Sequence, residues 1–258
     1  MTHSTRSDDA ASPDTITRRT LLHRLALTGA GGIVAAALPT RSLFASEGAG
    51  IETAPTSSFA LPPIGTPADA LRELAAGNRR FIDGKAIGPN RTMARLKEIA
   101  PKQSPFAAVL ACADSRVPVE ILFDQGFGDV FVCRAAGNIV TSEMLASLEF
   151  GTLVLGAKAL LVLGHSSCGA VKATIAGDAV PGQISTLYHH IQPAVDLVAA
   201  QSKDGKPEIE AVAHENVRMQ TRLLAHSSPV LGGLVKEGNL AIVGGMYDLT
   251  TGRVVMLD

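Results

Sequence analysis

Three short, mainly apolar runs of strand length stand out along the chain: FAAVLA at 106–111, DVFVCR at 129–134 and ALLVLG at 159–164. Their apolar positions mostly follow one another instead of alternating with polar ones. Continuous runs of this kind are typical of parallel strands, because helices cover both faces of a parallel sheet and every side chain is buried. The pattern therefore predicts three buried strands.

Between and before these runs, apolar residues recur at helical spacing. In the first such segment Leu71, Leu74 and Phe81 form the apolar stripe and Gly84 provides the stop. Three later segments show the same helical spacing of apolar residues. Helices are thus predicted at 68–84, 91–100, 118–125 and 142–156.

The second half of the chain continues the same architecture. Residues 182 to about 235 are helical in pattern, and LAIVGGMYDLTTGRVVML at 240–257 predicts a strand, a turn through 248–252 and a short closing strand. Strands that alternate with helices favour right-handed crossovers. The predicted fold class is therefore α/β, with a mostly parallel central β-sheet flanked by helices.

The first 45 residues differ from the rest. Arg18 and Arg19 precede an apolar, Gly- and Ala-rich segment at 25–38, which is shorter than the ~20 residues that span a bilayer as a helix. Residues 1–45 resemble a twin-arginine signal peptide, cleaved after Ala45. We expect an exported, periplasmic protein with no stable membrane span after processing. An uncleaved anchor or a chance arrangement is the alternative.

The remaining sequence divides into a linker and one domain. Residues 46–67 are rich in Gly, Ser, Thr, Ala and Pro and lack apolar periodicity. Residues 68–258 carry all the predicted strands and helices. The formal net charge is −1, which argues against a nucleic-acid surface and against a polybasic membrane anchor. Three cysteines are too few for a disulfide framework.

Potential metal ligands follow two of the predicted strands directly. Cys112 comes after FAAVLA, while His165 and Cys168 come after ALLVLG. The carboxyl ends of parallel strands form the ligand-binding edge of an open α/β sheet, so these side chains are expected to meet there. Two thiolates and one imidazole suit zinc, and three protein ligands leave the fourth tetrahedral position open, as in catalytic sites.

Weaker interpretations of the same residues stay open at this point. A His and a Cys three residues apart occur by chance, Cys112 could be an ordinary buried cysteine, and Cys133 could close a structural site, although its place within a strand favours the core. Asp114 and Arg116 lie beside Cys112. The carboxylate could bind the metal or accept a hydrogen bond there, held by the guanidinium, or the two could form a surface ion pair of little value.

The motif CADSR at 112–116, with HSSCG beginning 53 residues after Cys112, resembles the β-class carbonic anhydrases. FVCRAAGN at 131–138 and IVGGMYDLTTGRV at 242–254 extend the resemblance, which runs from about residue 68 to the end. It implies a zinc-dependent catalytic domain and the reversible hydration of carbon dioxide to bicarbonate and a proton by a zinc-bound hydroxide.

The resemblance also implies roles for individual residues and an assembly. Cys112, His165 and Cys168 would bind one Zn²⁺ per chain, and Asp114 and Arg116 would form the catalytic dyad that orients the hydroxide. Family members form homodimers or higher homo-oligomers, in which N-terminal helices pack on a neighbouring subunit. The partners expected for this chain are therefore carbon dioxide, bicarbonate and further copies of itself.

Four more residues stand at substrate-pocket positions of one group of the family: Gln103, Phe131, Phe150 and Gly169. Phe150 stands where that group often carries a tyrosine, and simple core packing is the alternative for Phe131. Two other functions remain open on the sequence. One is hydrolysis of a carbon dioxide analogue, carbon disulfide or carbonyl sulfide, at the same zinc site. The other is a closed zinc site with Asp114 on the metal.

Overall fold

The computed structural model describes residues 61–257. The predicted signal peptide at 1–45 and most of the predicted linker at 46–67 therefore lie outside the described residues. The predicted domain boundary at 68 falls beside the start of the first helix, which begins at Pro67. Among residues 61–257, no helix combines the length and the apolar character that a membrane crossing requires.

Within the described residues, strands alternate with helices as predicted. The strands are β1 Ala107–Ala111, β2 Val130–Arg134, β3 Ala159–His165, β4 Ala241–Tyr247 and β5 Val254–Leu257. The α-helices are α1 Pro67–Ile82, α2 Met93–Ile99, α3 Val119–Leu122, α4 Ser142–Glu149, α5 Gly169–Ala176, α6 Ser185–Gln201, α7 Ile209–Ser227 and α8 Pro229–Lys236. A 3₁₀ turn at Ala136–Asn138 follows β2, and a π-helical segment at Phe150–Val154 follows α4.

The five strands form one sheet in the order β2-β1-β3-β4-β5. The first four run parallel and β5 pairs antiparallel with β4. The chain moves outward from β1 to β2 on one side and from β3 to β4 on the other, so the order reverses between β1 and β3. That reversal opens a crevice at the carboxyl ends of these two strands, where α/β proteins bind ligands.

Strands β1 and β3 are buried along their whole length, which confirms the prediction from their unbroken apolar runs. The same prediction is wrong for β2, where only Cys133 is buried, because this strand lies at the edge of the sheet. Alternate side chains enter two separate cores. Ala108 and Leu110 pack in the core beneath α4 to α8, whereas Ala107 and Val109 pack in the core beneath α1 and α3. Every residue of β1 and β3 gains from burial, at about 25 cal/mol per Å² of apolar surface.

Helix α1 packs on the sheet of its own chain. Thr66 and Asp69 form a reciprocal capping box at its start, and Ala70 and Leu74 are fully buried. Gly77 allows the closest approach, because a Cβ there would lie 1.8 Å from the Phe123 carbonyl oxygen. Packing of the N-terminal helices on a neighbouring subunit stays a prediction for the faces that remain exposed, including α2, which buries none of its residues.

Two predicted helices are shorter than their patterns suggested. The segment 118–125 forms only one turn, α3, because Asp124 adopts a left-handed φ of 47°. The segment 142–156 is α-helical to Glu149 and then widens into the π-helical segment. One extra residue in a helical turn is enough to widen an α-helix into a π-helical turn. The sequence at 142–156 contains no proline and no pair of adjacent glycines, so nothing in it predicted this change.

Candidate metal centre

Cys112, His165 and Cys168 converge at the carboxyl ends of β1 and β3. Cys112 directly follows β1, His165 is the last residue of β3, and Cys168 is the residue before α5. All three are buried, and their ligand atoms lie within 4.8 Å of one another. The two Sγ atoms are 4.0 Å apart. A tetrahedral zinc ion with Zn–S bonds of about 2.3 Å would place them about 3.8 Å apart, so the donor set fits this metal.

His165 presents one ring nitrogen to the cluster without a hydrogen-bond partner. Its Nδ1 lies 2.9 Å from the Ser166 carbonyl oxygen. Since a carbonyl oxygen only accepts, Nδ1 carries the proton and donates it, and Nε2 carries the lone pair. Nε2 is buried, and no described residue pairs with it. A buried polar atom without a partner is costly and rare, and a metal ion would satisfy it.

The two thiols of the cluster contact each other, with the sulfur atoms 4.0 Å apart. Their mutual contact lowers the pKa of Cys112 to about 4 and raises the pKa of Cys168. The backbone N–H of Gly137 donates to Cys112 Sγ at 3.2 Å, which further favours the thiolate. One sulfur is therefore already prepared as a ligand, and a cation at the centre would stabilise the second as a thiolate too.

Asp114 and Arg116 form a bidentate pair next to the cluster. Arg116 Nε donates to Oδ1 at 2.9 Å and Nη2 donates to Oδ2 at 2.8 Å, and the Arg116 backbone N–H adds a third bond to Oδ1. These bonds hold the pKa of the Asp114 carboxyl well below its usual range. Oδ2 also lies 3.9 Å from His165 Nε2. An ionised carboxylate is thus fixed beside the metal ligands.

Comparison with known proteins agrees with this geometry. The family model described as "Carbonic anhydrase" matches residues 107–254. "Carbonic anhydrase 2" of Mycobacterium tuberculosis is 36% identical over 200 residues, which are 76% of this chain and 95% of the relative. "Carbonic anhydrase" of Mycolicibacterium smegmatis is 38% identical over 196 residues, which are 74% of this chain and 94% of the relative.

A solved structure identifies the class. The β-carbonic anhydrase of Coccomyxa has a TM-score of 0.58 and 28% identity over 72% of this chain and 86% of that one. The chain belongs to the β-carbonic anhydrase family. Members of this family are carbonate dehydratases, zinc-dependent lyases that interconvert carbon dioxide and bicarbonate. The resemblance of the CADSR and HSSCG motifs is thereby confirmed at the level of the family.

In this β-carbonic anhydrase, distant residues hold both ligand-bearing loops. Arg134, at the end of β2, donates to the Cys112 and Asp114 carbonyl oxygens at 3.1 and 2.6 Å. Glu210, in the first turn of α7, accepts the Ser167 backbone N–H at 2.9 Å, where Ser167 has a left-handed φ of 55°. Sequence reasoning assigned neither contact. The role of Arg134 could have been found from the pairing of β1 with β2, because Arg134 lies opposite Ala111, the residue before Cys112.

The structure brings one of the four predicted pocket residues to the cluster. Gly169 directly follows Cys168 and begins α5. Phe131 pairs with Ala108, four residues before Cys112, or about 13 Å along the strand. Gln103 lies four residues before β1 begins, so the length of that strand, about 16 Å, separates it from Cys112.

Phe131 and Phe150 contact each other instead of the cluster. Their ring centroids are 6.5 Å apart, and Phe131 packs half-buried against the core, as the alternative interpretation expected. The side chain of Phe150 is 47% exposed. Within one chain, therefore, Gln103, Phe131 and Phe150 do not line the metal centre. Cys133 is buried in the core outside the cluster, as its place in β2 predicted.

Proposed function

We propose that this chain catalyses the reversible hydration of carbon dioxide at a single Zn²⁺ held by Cys112, His165 and Cys168. The observation that supports this most directly is the unpartnered, buried Nε2 of His165, which converges with two sulfur atoms at the spacing that zinc requires. The donor set of two thiolates and one neutral imidazole belongs to zinc rather than to magnesium or calcium.

A zinc ion with three protein ligands supplies an open fourth position and lowers the pKa of a water molecule there to about 7. Asp114 contributes an acceptor beside that position. Because Arg116 donates to both carboxylate oxygens, Asp114 would stay paired with the guanidinium and would not serve as a ligand of the metal. Its carboxylate stays ionised at neutral pH, accepts a hydrogen bond from the reacting water and so orients a lone pair toward the carbon of carbon dioxide. In the hydration, the oxygen of that water would bond to the carbon while one C=O π bond opens, and its proton would pass to solvent, which gives bicarbonate.

The working unit in this proposal is a homodimer or a higher homo-oligomer. Gln103, Phe131 and Phe150 are too far from the cluster of their own chain to line its pocket. Phe150, Leu153 and Val154 are 47%, 56% and 63% exposed, an apolar surface that a second copy would cover. A second copy would also bring these residues toward a metal centre that is not their own.

The proposed assembly is tested by light scattering on the purified protein with Leu153→Lys and Val154→Lys combined. A mass that falls toward that of one chain, together with reduced hydration activity, supports the shared pocket. An unchanged mass with unchanged activity places the interface elsewhere. A matched control is Val255→Lys, which alters an equally exposed side chain (54%) on β5.

We also propose that the protein is exported and works in the periplasm. Support comes from Arg18 and Arg19 ahead of the short apolar segment 25–38. Cell fractionation tests this: the double variant Arg18→Lys, Arg19→Lys should remain in the cytoplasm while the unaltered chain reaches the periplasm with residues 1–45 removed. Equal distribution of the two proteins would contradict export by the twin-arginine route.

The catalytic proposal is tested by stopped-flow carbon dioxide hydration with the zinc-loaded protein between pH 6.5 and 9. Activity at neutral pH, with one zinc per chain, supports it. Full zinc loading without hydration at any pH would overturn it, and hydrolysis of carbon disulfide or carbonyl sulfide by the same sample would then identify the analogue hydrolase. Activity only above about pH 8 would mean that Asp114 competes for the metal, against the role given to Arg116.

A further inference from the structure

Helix α7 places two polar side chains inside an otherwise apolar core. Asn216 and Gln220 are 1% and 4% exposed, one helical turn apart, among buried aliphatic residues such as Val217 and Leu224. An amide buried without hydrogen bonds is destabilising, because it loses its bonds to water and gains none in return. Two of them on one helix therefore require specific partners, and those partners lie in the segment that follows β2.

The contacts of Asn216 lead to the metal centre in two steps. Asn216 Nδ2 donates to the Gly137 carbonyl oxygen at 2.9 Å. The backbone N–H of the same glycine donates to Cys112 Sγ at 3.2 Å. Gly137 is thus held at both ends, by a helix on one side and by a metal-ligand sulfur on the other.

The conformation of this segment depends on such external bonds. Gly137 and Asn138 both have a left-handed φ, of 75° and 45°, which no regular helix or strand maintains. A side chain at Gly137 would be strained by this positive φ, and its Cβ would also press on Ile191 Cδ1, 2.7 Å away. Gln220 Oε1 accepts the Val140 backbone N–H at 2.9 Å and so fixes the far end of the turn.

Gln220 also determines which way the Asn216 amide faces. Its Nε2 donates to Asn216 Oδ1 at 3.2 Å and to the His190 carbonyl oxygen at 3.3 Å. With its oxygen occupied by Gln220, Asn216 can turn only its NH₂ group toward Gly137. Donation therefore runs from Gln220 to Asn216, from Asn216 to the Gly137 carbonyl, and from the Gly137 N–H to the sulfur of Cys112.

We propose that Asn216 is a positioning residue of the metal centre: by holding the Gly137 carbonyl, it aims the Gly137 N–H at Cys112 Sγ. This inference rests on the proposed metal site. A hydrogen bond to a thiolate stabilises the sulfur lone pairs and reduces the charge that the sulfur donates to a bound metal. Asn216 thus acts on the centre through the backbone of Gly137, without touching metal or substrate.

The test uses cobalt as a spectroscopic substitute for zinc in the full-length protein. The sulfur-to-Co²⁺ charge-transfer absorption reports the energy of the sulfur lone pairs. In Asn216→Leu we expect this absorption to move to longer wavelength, because the lone pairs rise in energy when the N–H bond weakens. We also expect about 10- to 100-fold weaker Co²⁺ binding, the usual cost of losing a partner behind a metal ligand. If Asn216→Leu does not fold, Asn216→Ser serves, since a helical serine bonds back to its own helix.

Asn78→Leu is the matched control. Asn78 is also a buried helical asparagine, 4% exposed, and it holds the backbone of Leu122, Gly252 and Val254 on the other face of the sheet. Its loss should lower stability without moving the absorption. Equal spectra and equal Co²⁺ affinities for Asn216→Leu and the unaltered protein would overturn the inference, and so would an equal shift in Asn78→Leu.

The same spectra separate this inference from the proposed metal site. The unaltered protein should show the charge-transfer absorption, and Cys112→Ser should weaken it. Absence of that absorption in the unaltered protein would overturn the metal site and the inference together. Its presence, unmoved by the Asn216 variants, would leave the metal site intact and overturn the role of Asn216 alone.

Discussion

The metal cluster and the ionic network around Asp124 both bury groups that carry charge, but they differ in how that charge is matched. Asp124 is fully buried and accepts bonds from Arg80 and from the backbone N–H groups of Ile87 and Gly88. Every charge in that network has its partner within the chain. At the cluster, two sulfurs and the lone pair of His165 converge, and no side chain of residues 61–257 donates a hydrogen bond to that lone pair.

This difference distinguishes a structural network, around Asp124, from a binding site, at the cluster. A buried carboxylate that is surrounded by donors fixes loops to one another and has nothing left to bind. A set of buried donors aimed at one point without a partner is complete only when a ligand arrives. Substitutions in the Asp124 network should therefore lower stability, whereas substitutions in the cluster should lower activity.

The largest effect is expected from Cys168→Ala, because two ligands cannot hold zinc as three do. Carbon dioxide hydration should fall to the rate of protein-free buffer, with zinc content near zero by atomic absorption. Cys133→Ala, which alters the remaining cysteine of the chain outside the cluster, should keep both zinc and activity. Full zinc content in Cys168→Ala would contradict the assignment of this ligand.

Asp124→Ala should cost about 3–5 kcal/mol in free energy of unfolding, because it removes the acceptor of Arg80 Nε and of two backbone N–H groups and leaves Arg80 with Glu73 alone. Urea denaturation measures this. The folded fraction should still bind zinc and hydrate carbon dioxide at the normal rate per zinc. Asp196→Ala, at an exposed position on α6, should change stability by no more than about 0.5 kcal/mol. A loss of activity per zinc in Asp124→Ala would erase the contrast between the two regions.

Arg116→Gln should lower kcat/KM about 10- to 100-fold with zinc retained, because Asp114 loses the bidentate partner that holds both its oxygens. A pH–rate profile and a zinc assay measure this. The control is Arg72→Gln, which breaks an exposed pair with Asp69 and should leave kcat/KM unchanged. Unaltered kinetics in Arg116→Gln would mean that the ion pair between Asp114 and Arg116 contributes nothing to catalysis.

The smallest effect concerns acid stability. Burial alone would raise the pKa of Asp124, but the bonds from Arg80, Ile87 and Gly88 outweigh it and lower that pKa. A carboxyl with a lowered pKa in the folded state stabilises the fold above its unfolded pKa, near 3.8, and loses this contribution as the pH falls below that value. Asp124→Asn should therefore be less stable than the unaltered protein at pH 6, with the gap narrowing below pH 3.8. A constant gap would contradict the sign.

The ligand set was predictable because it depends on short-range rules. FAAVLA and ALLVLG are recognisable as buried parallel strands, and residues just beyond the carboxyl ends of such strands meet at one edge. Arg134 was within reach of the same reasoning, since β2 is parallel to β1. Glu210 and Asn216 were not, because both lie on α7, and no local pattern states which loop a helix will cover.

For the predicted pocket residues too, the sequence did not predict which side chains lie near the metal centre. Gln103, Phe131 and Phe150 stand at pocket positions of a family pattern, yet in one chain they lie at or toward the amino ends of the strands or on an exposed surface. A sequence motif specifies which residue stands at a position. The distance from that residue to the metal ligands depends on how the strands pair and on which subunit supplies the side chain.

The sequence by itself determined the α/β class and the meeting of Cys112, His165 and Cys168, because apolar periodicity and strand polarity act over a few residues, and its CADSR and HSSCG motifs indicated the family by resemblance. Only the tertiary structure decided which His165 nitrogen faces the cluster, that Arg116 holds both oxygens of Asp114, and that a helix more than 100 residues later in the chain reaches Cys112 through Gly137. Those facts depend on hydrogen bonds between segments far apart in sequence, which form only when the two cores pack against the sheet.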